Sequence, residues 1–220
     1  MEVMLVIIAA LESYTLGSLN FAVIISKLFA KKDVRNFGSG NAGMTNVLRV
    51  FGVLPGILTF LLDVLKGFVA CYIGKFVIFE YLSNNYSSPW FNPVYGALFC
   101  GIFCMIGHVF PAFFQFKGGK AVAVSVGIFY IAHWQAITAA LIVFVIVLLI
   151  TRIISISSVI AALTVLAVTC IIPPANANNL VVILMTAVMC LIVIVKHKDN
   201  MVRLVKGEEK PIFGKGKKEK

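Results

Sequence analysis

Residues 121–152 read AVAVSVGIFYIAHWQAITAALIVFVIVLLITR, and how this stretch is divided decides the fold. It is one of several apolar segments, at about 3–25, 50–79, 93–112, 119–133, 135–151, 153–172 and 179–196. Read as one long helix it gives six membrane crossings. Read as two short crossings that turn near His133-Trp134 it gives seven. The basic residues decide between them, because Lys and Arg concentrate on the cytoplasmic side of short loops. Lys27, Lys31, Lys32, Arg35 and Arg49 follow the first segment, Lys117 and Lys120 the third, Arg152 the fifth, and nine more run from Lys196 to the end. The connectors 80–92 and 173–178 contain none. Seven crossings keep every basic cluster on one side, with the N-terminus outside and the C-terminus in the cytoplasm. Trp134 at the turn suits an interfacial anchor, and short spans are accommodated by tilt or local thinning of the bilayer.

The composition agrees with an all-α polytopic membrane protein forming a single domain over residues 1–220. Of 220 residues 60% are apolar, and the mean hydropathy is +1.00, which leaves too few charges to cover a soluble surface. The net charge of +10 reports topology before partners, so no nucleic-acid role is expected. The first apolar run has an acidic Glu2 before it and its lysines after it. A cleaved leader has the opposite arrangement, so this segment is expected to remain as a span. Cys71, Cys100, Cys104, Cys170 and Cys190 all lie in apolar segments, odd in number and without a Cys-x-x-Cys pair, as befits small packing residues. Cys100, Cys104 and His108 recur at i, i+4 spacing, but a zinc site needs a fourth ligand; no metal is expected.

The segment 50–79 is too long. A continuous helix there would run roughly 45 Å against a hydrocarbon core of about 30 Å. Pro55-Gly56 is the expected break, with a half-helix over 41–54 at the inner face and the span starting near Gly56. Broken helices at membrane depth persist where they line a site. Asp63 and Lys66, at i, i+3, are placed to pair on one face, either as a structural ion pair or as support for a phosphate site. Glu12, Ser13, Tyr14, Thr15, Ser18 and Asn20 make one side of the first span polar, as helix packing alone would require.

Three polar clusters interrupt this apolar chain on the basic side. In Gly38-Ser39-Gly40-Asn41-Ala42-Gly43-Met44-Thr45-Asn46-Val47-Leu48-Arg49 the glycines let backbone N–H groups approach an anion, and a helix opens just after them. Ser39, Asn41, Thr45 and Asn46 add neutral donors, and Arg49 adds a planar fork for two phosphate oxygens. A capped polar connector would look similar, and the Gly-Lys-Ser/Thr of a Walker loop is missing. The second cluster runs from Gly107-His108-Val109-Phe110-Pro111 to Phe116-Lys117-Gly118-Gly119-Lys120 and sets a Gly-Gly pair between two lysines. The third places His197, Asn200 and Arg203 at helical spacing, so they share a face, ahead of Gly207-Glu208-Glu209. Its plainer reading is a basic juxtamembrane helix on anionic lipid, which suits the tail from Lys215 to Lys220 better.

The chain resembles the bacterial PlsY-type, acyl-phosphate-dependent glycerol-3-phosphate acyltransferases, over nearly its whole length. The resemblance is carried by Gly17-Ser18, by Asp33-x-Arg35 leading into the Gly38–Arg49 loop, and by Asp63-x-x-Lys66-Gly67. It continues in Gly107-His108-x-Phe110-Pro111 with Phe116-x-Gly118-Gly119-Lys120, and in His197-x-x-Asn200-x-x-Arg203-x-x-x-Gly207-x-Glu209. The family has Gly where this chain has Ala121, Ala where it has Met44, and Thr where it has Val124.

The resemblance implies a seven-helix enzyme of the bacterial cell (inner) membrane with its active site on the cytoplasmic side. Such an enzyme transfers a fatty acyl group from acyl phosphate to the sn-1 hydroxyl of glycerol 3-phosphate, giving lysophosphatidic acid and inorganic phosphate, without a cofactor. Its partners would be those two substrates, membrane lipid and the enzyme that makes the acyl phosphate. Ser39, Arg49, Lys120, His197 and Asn200 are then expected to bind phosphate and stabilise the leaving group. Gly38, Gly40, Asn41, Thr45, Asn46, His108, Lys117, Gly118, Gly119, Ser155, Arg203 and Glu209 are expected to contact substrate. Arg152 and Ser155 are expected to assist, and Glu209 to orient the basic residues. His108, His197 or a substrate phosphate is the general base. A transporter of phosphorylated solutes would share the broken helices but should have basic residues at its outer vestibule. A lipid-binding scaffold has no need of three converging loops. A CoA-dependent acyltransferase would more often show His-x-x-x-x-Asp, absent after His108 and His197.

Overall fold

The computed structural model describes residues 1–209 and 211–212; among them every regular element is helical. The Lys215–Lys220 tail lies outside the described residues. The apolar run 3–25, expected as one span, is two helices: α1 (Glu2–Ser18) and α2 (Phe21–Ala30). Two polar groups make the break. Asn20 caps α2 by accepting from the Val23 amide at 3.2 Å. The carbonyls of Gly17 and Leu19, freed where α1 ends, accept from Lys66 Nζ at 3.1 and 2.8 Å. A freed backbone group at membrane depth needs such a partner.

The half-helix expected over 41–54 is α3 (Met44–Phe51), and the span begins as α4 at Val53 rather than near Gly56. Gly52 breaks the chain, with φ 96°, a conformation that side chains oppose. Pro55 falls in the first turn of α4, where no backbone N–H is needed for the helix ladder. Gly56 lies inside α4 and packs on Leu48 of α3. α4 continues to Ile73 and passes through a wide turn of π geometry, Gly74–Phe79, into α5 (Glu80–Asn85). α6 follows (Pro93–Val109), with Pro93 at its first turn and the Asn92 carboxamide capping the Val94 amide at 2.8 Å.

The stretch that left the span count open divides at His133, as its polar dipeptide suggested. α7 (Val122–Ala132) ends there and α8 (Trp134–Thr151) begins after it. His133 Nε2 lies 2.8 Å from the Ile172 carbonyl, which ties the turn to the end of α9 (Ile154–Ile171). α10 (Asn179–Lys196) and the short α11 (Lys198–Val205) complete the chain. Among the described residues six stretches are long and apolar enough to cross a membrane: Glu2–Ala30, Val53–Asn85, Pro93–Phe114, Trp134–Thr151, Ile154–Ile171 and Asn179–Lys196. α7 is apolar but spans only about 16 Å. It is enclosed by protein, with Val124, Gly127, Ile128, Phe129 and Ala132 buried. Gly127 meets the backbone of Val64 and Gly67 meets that of Val124, so α4 and α7 touch almost main chain to main chain. Small residues allow this closeness where lipid gives helices no hydrophobic reason to associate.

The cysteines behave as packing residues. Cys71, Cys100, Cys104 and Cys190 are buried and unpaired with one another. Each thiol faces a backbone carbonyl: Ala97, Ala9, Lys66 and Ala162 respectively. One end of the bundle is closed by the His133 turn and by Tyr95, whose hydroxyl accepts from the Asn178 amide at 2.7 Å. The loops bearing the three polar clusters meet at the other end.

Candidate active site

The first loop is held open by its own side chains. Asn46, buried at the start of α3, donates from Nδ2 to the carbonyls of Val34, Phe37 and Asn41 and accepts from the Ser39 amide at 3.0 Å. Its carboxamide is fully engaged, so Asn46 shapes the loop instead of offering a donor to substrate. Gly38 and Gly40 have φ of 61° and 70°, which turn the chain around it. Asp33 accepts from the Arg35 amide and forks with the Arg35 guanidinium, Nη2 to Oδ2 at 2.8 Å. Hydrogen bonds from Arg35 hold the Asp33 carboxyl below the usual range. The remaining arm of Arg35 donates to the Phe114 carbonyl at 2.7 Å, clamping the first loop to the second. Arg35, Asn36, Gly40, Gln115, Lys117 and Gly118 line a polar cavity of about 230 Å³ at this joint. Ser39, Arg49 and Lys117 are exposed at this end.

Beneath the second loop lies a buried charged knot. Lys66 Nζ is 2.8 Å from Asp63 Oδ1 and 2.9 Å from His108 Nδ1, besides the two carbonyls of the α1–α2 break. An ammonium only donates, so Nδ1 of His108 must be the acceptor and its ring proton sits on Nε2. With Nδ1 taken up by the ammonium, Nε2 is the His108 ring nitrogen left toward the loop above it. Gly119 lies against that ring and against the Ala42 carbonyl. The Gly118 and Gly119 amides donate to the Val109 and His108 carbonyls at 3.2 and 3.1 Å. These glycines, expected to contact substrate, serve close approach, which brings the first loop, His108 and Lys120 together.

Ala121 has φ 61° and is buried. The left-handed conformation costs a side-chain-bearing residue about 1–2 kcal/mol, which is the physical meaning of the departure from Gly at this position. Ala121→Gly is expected to stabilise the protein by about 1 kcal/mol, read as a higher melting temperature in detergent.

The third cluster closes over the second. Lys120 Nζ contacts Asn200 Oδ1, and Asn200 Nδ2 donates to Glu209 Oε1 at 2.6 Å. The same carboxylate accepts from Ser155 Oγ at 2.8 Å and from Arg203 Nε at 2.9 Å. Burial alone would raise Glu209, but the bonds from Asn200, Ser155 and Arg203 hold it below its ordinary value. Gly207, with φ 72°, turns the chain back over the site, and the Ile212 amide donates to the Arg152 carbonyl at 2.9 Å. Lys120, Ser155, Asn200, Arg203 and Glu209 thus form one hydrogen-bonded group spanning the second loop, α9 and α11.

Burial pulls the Lys120 ammonium down to about 8. His197, buried beside this group, is pushed by burial to about 4, although Nδ1 donates to the Val193 carbonyl at 2.8 Å. It is neutral at physiological pH, and its Nε2, without a partner among the described residues, is an acceptor but a weak base. Thr45 and Asn41 are half-buried on the first loop. Arg49 has no hydrogen-bond or ion-pair partner among the described residues. Arg35, Asp33 and Ala42 bind the site together without having been singled out as site residues; the Asp-x-Arg spacing was the signal available in the sequence.

An apolar groove of about 60 Å³ lies between α7, α8, α9 and α10, lined by residues that include Val122, Phe129, Ile137, Ser158, Ala162 and Val193. It begins at the polar group. Val122 follows Lys120 by two residues, Ser158 follows Ser155 by one turn, and Val193 precedes His197 by one turn.

The model of the glycerol-3-phosphate acyltransferase family matches residues 7–207. Among curated proteins, glycerol-3-phosphate acyltransferase 2 of Bacillus anthracis is 34% identical over 206 residues, covering 94% of this chain and 98% of that protein. The glycerol-3-phosphate acyltransferase of Finegoldia magna is 35% identical over 209 residues, covering 95% and 97%. The crystal structure of PlsY (YgiH), an integral membrane glycerol 3-phosphate acyltransferase, is similar in its glycerol 3-phosphate form, with a TM-score of 0.79 and 33% identity over 97% of this chain and 96% of that one. Its lysophosphatidic acid form gives a TM-score of 0.78 at 30% identity, covering 95% of both chains. A match of this extent, over the three loops and the helices that carry them, places the chain in the glycerol-3-phosphate acyltransferase family.

Proposed function

We propose that this protein transfers a fatty acyl group from acyl phosphate to the sn-1 hydroxyl of glycerol 3-phosphate, releasing lysophosphatidic acid and inorganic phosphate. The observation that carries this reading is the junction of a phosphate-type site with a lipid-type one. The hydrogen-bonded group of Lys120, Ser155, Asn200 and Arg203 stands at the mouth of the apolar groove between α7 and α10. A donor with a phosphate head and a hydrocarbon tail fits that junction. The polar cavity at Arg35, Gly40 and Lys117, with exposed Ser39 and Arg49 near it on the first loop, suits a small polar acceptor.

Acyl phosphate is a mixed anhydride with a good leaving group, so no acyl-enzyme is needed. The chain contributes by positioning both phosphates and stabilising charge. Ser39, Arg49, Lys120 and Asn200 hold phosphate oxygens, and His197, whose Nε2 is an acceptor, takes a hydrogen bond from a protonated phosphate oxygen or from the glycerol hydroxyl. Thr45, Asn41, Lys117 and Arg203 contact the substrates, and the glycines at 38, 40, 118 and 119 let loops and substrate approach. Glu209 keeps Ser155, Asn200 and Arg203 in register. With His197 held near 4 and Nδ1 of His108 engaged by an ammonium, the departing phosphate is the stronger base for the glycerol proton. The short α7 is read as the seventh crossing, which puts the site on the cytoplasmic face of a bacterial cell membrane. An acyl-phosphate-forming enzyme would supply the donor.

Initial rates measured with palmitoyl phosphate and glycerol 3-phosphate varied against each other test this reading. Lysophosphatidic acid formed with intersecting double-reciprocal lines is expected for direct transfer in a ternary complex. Parallel lines would require an acyl-enzyme, and no product in folded protein would overturn the function itself.

A further inference from the structure

α9 carries five hydroxyl side chains, and four of them have partners. Ser155 donates to Glu209, Ser157 to the Ile153 carbonyl at 2.9 Å, Thr164 to Ile160 at 2.9 Å and Thr169 to Val165 at 2.8 Å. Back-bonding of this kind is the usual resting place of a hydroxyl in an apolar helix. Ser158 does not adopt it. Its Oγ is buried and has no hydrogen-bond partner among the described residues, and Ser158 belongs to the lining of the apolar groove. The other polar atoms of that lining are accounted for: Ser125 Oγ donates to the Ala121 carbonyl at 2.7 Å and Cys190 Sγ faces that of Ala162. Asn20 Nδ2, Thr186 Oγ1 and Asp63 Oδ1, the last facing the Lys66 ammonium, also lack hydrogen bonds among the described residues but do not line the groove. A buried donor without a partner, on a residue that lines a groove, marks the place of a ligand's acceptor atom.

Ser158 lies one turn, about 4.5 Å along the axis, below Ser155. An acyl phosphate carries its carbonyl one oxygen atom away from phosphorus. With the phosphate at the level of Ser155, Lys120 and Asn200, the carbonyl falls at the mouth of the groove. We infer that the Ser158 hydroxyl donates a hydrogen bond to the acyl carbonyl oxygen of the bound donor and to the oxyanion which that atom becomes. This rests on the acyl-phosphate reading above.

In the step, the glycerol hydroxyl oxygen bonds to the carbonyl carbon and the carbonyl π pair moves onto oxygen, facing Ser158. The pair then returns, the bond from carbon to the phosphate oxygen breaks, and its electrons leave on phosphate. The glycerol proton passes to a phosphate oxygen, so ester and inorganic phosphate balance the substrates. Ser158 keeps its own proton throughout. A donor aimed at the developing charge in a site without competing water is worth far more than in solution.

The test is Ser158→Ala in the full-length protein, assayed with palmitoyl phosphate and glycerol 3-phosphate beside a melting curve in the same detergent. Because the hydroxyl has no partner in the protein, its loss is expected to leave the melting temperature unchanged or raised. kcat is expected to fall roughly 100-fold, with the KM for glycerol 3-phosphate unchanged and with Ser158→Thr restoring most of the rate. A lowered melting temperature would show a structural partner and overturn the inference, as would unimpaired kcat, or loss in Ser158→Thr equal to that in Ser158→Ala. A wild-type protein that makes no product from acyl phosphate removes the underlying reading as well. A working wild type with an unimpaired Ser158→Ala variant removes this inference alone.

Discussion

Lys120→Gln is expected to lower kcat/KM for glycerol 3-phosphate by roughly 100- to 1000-fold, the loss seen when one charge-stabilising donor is removed from a transition state. Lys120 contacts Asn200, which is bonded to Glu209, and so stands where the second loop meets α11. Burial holds its ammonium near 8, which gives the effect a pH signature. The residue is cationic below that value and loses its charge above it. If the charge serves the reaction, kcat/KM should fall about tenfold per pH unit above 8, since this parameter reports the free enzyme. A bound phosphate dianion favours the charged lysine, so the alkaline limb of kcat should lie at higher pH. Lys120→Arg carries a guanidinium that does not deprotonate in this range. It should be slower, because the fork does not match a single carboxamide oxygen, and its alkaline limb should be absent. An alkaline limb identical in wild type and Lys120→Arg would assign the titration to another group.

The largest loss of stability is expected from Lys66→Met. The side chain is buried and meets Asp63, His108 and the carbonyls of Gly17 and Leu19. Its removal leaves a buried carboxylate without its cation and the two carbonyls of Gly17 and Leu19 without their donor. Breaking one half of a buried pair costs about 3–5 kcal/mol. The α1–α2 break should loosen with it, and so should His108, on which Gly119 rests. Activity is therefore expected to fall together with the melting temperature in detergent. The double variant Asp63→Leu/Lys66→Met should recover part of the stability, because no uncompensated charge remains. Equal destabilisation of the single and double variants would mean that the two carbonyls, not the ion pair, dominate the knot.

The sequence made some of these features legible and hid others, for identifiable reasons. The division at His133 was visible because a polar His-Trp pair interrupts an apolar run and the basic residues require a turn there. The break near the fourth helix was visible in kind but displaced. Pro55 looks like a breaker, yet proline sits comfortably in a first helical turn, and the left-handed Gly52 ends α3. The break at Leu19-Asn20 could not be read from its own segment. The group that stabilises it is Lys66, supplied by another helix. At the site, residue type revealed which loops carry the chemistry but not how each side chain is used. Asn46 looks like a phosphate donor and is fully occupied by its own loop. Arg35 looks like a topology charge and is a clamp between two loops. Ser158 looks like any serine in an apolar helix; what sets it apart is the absence of a partner among the described residues.

The central claim is that the acyl donor is an acyl phosphate and the acceptor glycerol 3-phosphate. It is tested most directly by giving purified protein radiolabelled glycerol 3-phosphate with palmitoyl phosphate in one reaction and palmitoyl-CoA in another. Labelled lysophosphatidic acid from palmitoyl phosphate alone is the predicted result. Product from palmitoyl-CoA alone would keep the acyltransferase family and contradict the donor.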